Sequence, residues 1–183
     1  ADLDAIVHCI DVVSAKNATI HACEFKEGGA NKVFIDAIDV SSTTDNDSDG
    51  LAVLDCVATS IDDQVDSFIE INQSMDRFEC IANVVSHQHA NATGMINVTT
   101  ATDVLTDCYI ADNAYSNLAT TTAGAALVVG STATGNSGMV VRNVVSHRDT
   151  GGELIVDLTG AGMAGNLGTA AADAEGYTVG PDS

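Results

Sequence analysis

The pentapeptide Asn-Val-Val-Ser-His stands at residues 83–87 and again, letter for letter, at 143–147, between unlike flanking loops. This repetition most constrains the fold, because a chain that stacks equal units writes similar segments at a period of tens of residues. Around it, two kinds of short apolar segment alternate. The first kind is AIVHCIDVV (5–13), NKVFIDAIDV (31–40), SFIEIN (67–72), GMINVTT (94–100), AALVVG (125–130) and ELIVDLTG (153–160). The second is TIHACEF (19–25), LAVLDCVATS (51–60), RFECIANVVSH (77–87), DVLTDCYIADN (103–113) and GMVVRNVVSH (138–147). Apolar and polar residues alternate in Ile35-Asp36-Ala37, Ile69-Glu70-Ile71, Ile96-Asn97-Val98 and Val156-Asp157-Leu158. Period-two alternation marks a strand with one face buried.

Laid over one another, the second segments put Cys23, Cys56, Asn83, Cys108 and Asn143 in one row, with Cys80 outside it. One cycle takes about 26 to 36 residues, and the variation falls in stretches rich in Gly, Ser, Thr and Asp. Evenly patterned strands, uneven loops and no 3.6-residue rhythm predict an all-β chain: a right-handed parallel β-helix, or solenoid, of about five coils. The expected domain is 1–160, followed by a glycine- and alanine-rich tail over 161–183. In such a fold each coil completes the hydrogen bonding of the next, so a row of Cys and Asn becomes a ladder along the axis. On this reading the pentapeptide recurs because two rungs, two cycles apart, solve one packing problem. The alternative is an antiparallel β-sandwich. Its hairpin signals are scarce, the one Asp-Gly pair being Asp49-Gly50 at the end of a longer loop.

Charge narrows the partners. Twenty-six acids face six bases, for a net charge of −20. A phosphate backbone or an anionic lipid surface is repelled over most of such a molecule, so neither nucleic acid nor membrane is expected as a partner. No run of 18 apolar residues is present. The five cysteines, Cys9, Cys23, Cys56, Cys80 and Cys108, are odd in number and form no CxxC; they read as small buried thiols rather than a disulfide framework.

The sharpest local motif is DNDSDG at 45–50. Asp45, Asp47 and Asp49 followed by Gly50 match the first half of a calcium loop, in which alternate carboxylates converge on a hard cation. The twelfth position is Cys56 where an EF-hand needs a bidentate Glu, which excludes an EF-hand. Calcium held by Asp45, Asp47 and Asp49 is the expected metal; the other reading is a solvated acidic turn. TGAGMAG (159–165) contains G-x-G-x-x-G through Gly160, Gly162 and Gly165. It lacks the following helix and second strand of a dinucleotide site, and reads as an exit from the last rung. His8-Cys9 and His21-Ala22-Cys23 do not have zinc-finger spacing. Asp36, Glu70 and Asp157 sit at equivalent strand positions, as a carboxylate pair for glycan cleavage would require. Sugar sites normally add aromatic platforms, and aromatics are 4% of this chain, with no Trp. There is no G-x-S-x-G anchor for a nucleophile. No catalytic residue is assigned, and the chain is expected not to be an enzyme.

The rungs VLDCVATS, TDCYIADN and VVRNVVSH, the connector ATTTAGAALVVGSTATGNSG and the small-residue C-terminus resemble those of the small β-helical virion proteins of tailed bacteriophages. These include capsid decoration, head-fibre and tailspike-type proteins. The resemblance covers about residues 5–160 and implies a non-enzymatic structural protein on the virion surface, outside the cell. It also implies a homo-oligomer, a trimer above all, with other virion proteins and a host-surface glycan as partners. A polysaccharide-acting spike enzyme or a calcium-dependent adhesin or surface-layer fragment is the alternative.

Overall fold

The computed structural model describes residues 5–26, 33–41, 44–45, 47–59, 67–87, 94–117, 126–131, 135–147, 155–158 and 160–169. They form six coils. The first is β1 (Ala5–Asp11), β2 (Thr19–His21) and β3 (Glu24–Lys26). The second is β4 (Val33–Val40), β5 (Ala52–Leu54) and β6 (Val57–Thr59). The third is β7 (Ser67–Ile71), the short β8 (Met75–Asp76), β9 (Glu79–Ile81) and β10 (Val84–His87). The fourth repeats it as β11 (Ile96–Val98), β12 (Leu105–Thr106), β13 (Cys108–Ala111) and β14 (Ala114–Asn117). The fifth is β15 (Ala126–Ser131), β16 (Gly138–Val141) and β17 (Val144–His147). The sixth is β18 (Ile155–Leu158), β19 (Gly162–Ala164) and β20 (Leu167–Thr169).

Successive coils stack their strands into three six-stranded sheets. Sheet A is β1-β4-β7-β11-β15-β18, sheet B is β2-β5-β9-β13-β16-β19 and sheet C is β3-β6-β10-β14-β17-β20; β8 and β12 pair beside them. Among the described residues every strand pairing is parallel, which makes the chain a β-solenoid and excludes the sandwich. There is one coil more than the five expected, because TGAGMAG is not an exit from the fold. Gly162–Ala164 and Leu167–Thr169 pair with β16 and β17, so the boundary expected at residue 160 cuts through the sixth coil. Residues 170–183 of the expected tail lie outside the described residues. The cycle length varies as the loops do: Ile20 pairs with Val53, 33 positions on, and Val140 with Met163, 23 positions on.

Inward-facing rows fill the space between the sheets. Ile38, Ile69, Ile96 and Val128 stack on sheet A, Val53, Cys80, Ile110 and Val140 on sheet B, and Ala58, Val85, Tyr115 and Val145 on sheet C, all at most 2% exposed. Each fully buried large aliphatic side chain contributes about 1.5–3 kcal/mol. Phe25 meets Phe68 edge to face, ring centroids 5.9 Å apart.

Between sheets B and C every coil turns on two residues. The first is in the left-handed conformation: Ala22, Asp55, Ala82, Asp112, Arg142 and Gly165, with φ between 52° and 65°. The second occupies a row of Cys23, Cys56, Asn83, Asn113, Asn143 and Asn166. This corrects the expected row: its fourth member is Asn113, not Cys108, and it continues to Asn166. Cys80, outside the expected row, belongs to the inward row with Val53 and Ile110. Nor are all the thiols buried, since Cys9 is exposed and Cys23 half-buried.

Gly165 occupies the left-handed position at no steric cost, whereas an L-residue there costs about 1–2 kcal/mol. Ala82→Gly is therefore expected to leave stability unchanged or raise it by up to about 1 kcal/mol, and Ala82→Val to lower it. Urea titration of the two variants checks this, and a glycine variant less stable than the valine variant would refute the corner geometry.

Candidate functional site

The Asn row is the most highly bonded feature of the molecule. Asn83 Oδ1 accepts the Cys56 N–H at 2.9 Å, Asn113 Oδ1 that of Asn83 at 3.0 Å, Asn143 Oδ1 that of Asn113 at 3.0 Å and Asn166 Oδ1 that of Asn143 at 2.9 Å. Each of the first three amides also donates to the next Oδ1, at 2.9–3.0 Å. The second amide hydrogen goes back one coil: Asn83 donates to Val53 O, Asn113 to Cys80 O, Asn143 to Ile110 O and Asn166 to Val140 O. Asparagine suits this place because a short amide carries both an acceptor and two donors. These residues are structural: their polar groups are satisfied within the stack.

The repeated pentapeptide is now accounted for letter by letter. Asn83 holds the ladder, Val84 points out at 51% exposure, Val85 points in, Ser86 is half-buried and His87 is buried against Tyr115, ring centroids 6.2 Å apart. In register, Val84 lies beside Ala114 and Ala114 beside Val144, so the two copies are two coils apart with Asn113-Ala114-Tyr115-Ser116-Asn117 between them.

Two outer faces differ sharply in charge. On sheet A, Asp11, Asp39, Glu70 and Asn97 stand in one register row. Asn72 Nδ2 donates to Asp39 Oδ1 at 3.0 Å and Glu70 Oε1 at 3.3 Å. His8 lies 3.4 Å from both Asp36 and Asp39. Asp36 is not the register partner of Glu70, as the sequence suggested; it faces Ser67, whose N–H and hydroxyl both donate to it. The side chain of Asp157 lies outside the described residues. Sheet C is the opposite. From the second coil to the fifth its two outward register rows are Val57, Val84, Ala114 and Val144, and Thr59, Ser86, Ser116 and Ser146. Neither row contains a charged residue, and Val57, Val84 and Val144 are 41%, 51% and 45% exposed.

The turn predicted to hold calcium joins sheet A to sheet B, and its carboxylates reach different partners. Asp45 Oδ1 accepts the Ser74 N–H, Asp47 Oδ2 the Ser14 hydroxyl and Asp49 Oδ1 the Asp76 N–H. Lys16 lies 3.9 Å from Asp49. Among the described residues, no group of three or more His, Cys, Asp or Glu side chains surrounds a common point. The signal that explains these aspartates is again the coil register, which local motif reading does not contain.

Burial raises the Asp39 carboxyl above the ordinary carboxylate value; His8 and the Asn72 hydrogen bond oppose this and Asp11 adds to it. Burial, then Asp45, raises Asp103. A folded state that binds such protons more tightly than the unfolded chain loses stability as pH rises from the ordinary carboxylate value through the raised one. Asp112 has the opposite sign: its hydrogen bond from Arg142 lowers it, and that stabilisation is lost as pH falls through the lowered value. On acidification from neutral pH towards the ordinary carboxylate range, protonation of the first pair and relief of the −20 self-repulsion act together, so Tm is expected to rise. Asp39→Asn should flatten the slope; a Tm that falls steadily over this range would refute the sign.

Fold and faces together define the chain as a parallel β-solenoid built on an asparagine ladder, with one acidic face and one uncharged face. Among the described residues no helix is long and apolar enough to cross a membrane. No protein-family model matches the chain, and no curated protein and no solved structure matches it significantly.

Proposed function

We propose that this chain is a non-enzymatic structural protein that self-associates through the outer face of sheet C, as a homotrimer on the surface of a phage particle. The observation that carries the reading is the uncharged face itself. In a chain of net charge −20, two copies repel over most of their surface. The rows through Val84 and Ser86 bring no like charges together from the second coil to the fifth, and three of their valines are more than two-fifths exposed. Flat β surfaces of this kind bury apolar area against a copy of themselves around a closed symmetry axis. Placement on a virion rests on the resemblance of the rungs. Light scattering with size-exclusion chromatography is expected to give a trimer, tightened by added salt as the repulsion is screened. Val84→Glu with Val144→Glu should give a monomer with unchanged circular dichroism. A wild-type monomer at tens of micromolar, salt or no salt, overturns the assembly; absence from purified particles overturns the virion placement.

A second reading, glycan cleavage, has the Asp39–Glu70 pair in its favour. Adjacent coils put the backbones of these residues about 5 Å apart, which lets their carboxyls reach the separation retaining glycosidases use, and one member has a raised pKa. Release of oligosaccharide from host capsule, abolished by Glu70→Gln, would replace the structural reading. Calcium at Asp45, Asp47 and Asp49 belongs with an extracellular site of action; a Tm raised by calcium and restored by EDTA supports it, and no shift removes it.

A further inference from the structure

The asparagine ladder does not start with asparagine. In its first two rungs the row is held by Cys23 and Cys56, and sulfur takes over the amide's work. Cys56 holds the row position from which, in later coils, each Asn Oδ1 accepts the N–H one coil before it. Its sulfur lies 3.8 Å from Ile20 O, the place to which Asn83 Nδ2 reaches on Val53 O. The two thiols stand next to each other in adjacent coils. Both take the same orientation, Cys23 donating to His21 O and Cys56 to Leu54 O.

The backbone register brackets the pair on both sides. His21 is paired with Leu54 and Glu24 with Val57, the Ala22 N–H donates to Leu54 O at 3.0 Å and the Val57 N–H to Cys23 O at 2.9 Å. Neighbouring strands run about 4.8 Å apart, inside the 4.4–6.8 Å range of Cα separations that a disulfide spans. Access is asymmetric: Cys23 is half-buried, whereas Cys56 has no exposed surface. An external oxidant therefore meets Cys23, and Cys56 meets Cys23 alone.

We propose that Cys23 and Cys56 are a redox pair that closes a disulfide between the first two coils when the protein meets a disulfide oxidant. The Cys23 thiolate attacks a low-molecular-weight disulfide, forming a mixed disulfide and releasing one thiolate. Cys56 then gives up its proton, its sulfur attacks Cys23 Sγ, and the second small thiolate leaves. Two protein thiols and one small disulfide become one protein disulfide and two small thiols, with two electrons transferred. Burial raises the pKa of Cys56, so the second step is the slow one. The bond ties the first described coil to the second. Cys80 stays out of the exchange, fully buried with its sulfur engaged by Asn83 Nδ2.

The test uses the full chain with Cys9→Ser, which removes the exposed thiol. Treatment with oxidised glutathione should give a product lighter by two hydrogens, with Cys23 linked to Cys56 in a non-reduced digest. Its Tm should stand about 5–10 °C above the reduced form and return with dithiothreitol. Cys56→Asn is the matched control, because its amide can accept the Cys23 N–H and donate to Ile20 O. It should fold, and its Tm should ignore the oxidant. The proposal is overturned if both thiols still alkylate after prolonged oxidation, if Cys23 pairs elsewhere, or if Cys56→Asn shows the same oxidant-dependent shift.

Discussion

Asn113→Ala is expected to lower stability by about 3–5 kcal/mol, one of the largest effects of any single side-chain truncation in the molecule. The change removes five hydrogen bonds at once: three accepted by Oδ1, two from Asn83 and one from the Cys80 thiol, and one donated to each of Cys80 O and Asn143 Oδ1. The Asn83 N–H and the Cys80 carbonyl stay buried and lose these partners, which is why the cost exceeds that of an ordinary exposed asparagine. Because the interruption falls mid-stack, it should shift the denaturation midpoint without altering the native circular dichroism. Asn113→Cys should cost clearly less, since the Cys56 thiol already serves in this row, reaching Ile20 O at 3.8 Å. A loss below about 1 kcal/mol for the alanine variant would mean that the ladder contributes little beyond the sheets.

Gly138→Ala is expected to be comparably damaging for a different reason. Gly138 has a φ of +123°, and a Cβ there would stand 2.1 Å from the Cys108 carbonyl oxygen and 2.5 Å from its nitrogen. Those atoms are backbone of the adjacent coil, whose Cys108 N–H is bonded to Ser137 O at 3.1 Å, so they cannot retreat without opening the stack. Conformational strain and overpacking together come to about 3–5 kcal/mol, or a fall in Tm of about 6–15 °C. Gly162→Ala, on the neighbouring coil, is the comparison: its Cβ would stand 3.6 Å from the Gly138 carbonyl oxygen, an ordinary contact, and its cost should stay below about 1 kcal/mol. Equal effects at the two glycines would show that the close approach at Gly138 is not limiting.

Much of the architecture is legible in the residues because a solenoid repeats its constraints. The alternation in Ile69-Glu70-Ile71 and Ile96-Asn97-Val98 places those strands and their buried faces correctly, and the two Asn-Val-Val-Ser-His copies are two coils apart. At Cys108 the row is not legible in the residues, because likeness of letters and position in the coil diverge there. TDCYIADN offers a Cys five residues before its Asn, and only pairing of Ile110 with Cys80 and Val140 shows that Asn113 is the corner residue. The sixth coil was missed for a related reason. Gly162-Met163-Ala164-Gly165-Asn166 has little apolar content, yet Gly165 takes the left-handed position of the other corners and Asn166 the ladder position of Asn83, Asn113 and Asn143. The candidate sites were harder still. Asp45, Asp47 and Asp49 look convergent in a motif, whereas each carboxylate reaches a different partner, Asp47 back to the first coil and Asp45 and Asp49 forward to the third.

By itself the sequence determined that this chain is all-β, that its strands bury one face, and that successive segments stack. Those properties depend on alternation and repetition along one strand at a time. Tertiary structure alone decided which residues share a row: Asp39 with Glu70 rather than Asp36, Cys23 with Cys56, and an uncharged surface on sheet C of a strongly acidic protein. Register between coils depends on how many residues each loop absorbs, between 23 and 33 per turn, and that number is set by backbone hydrogen bonding across the stack.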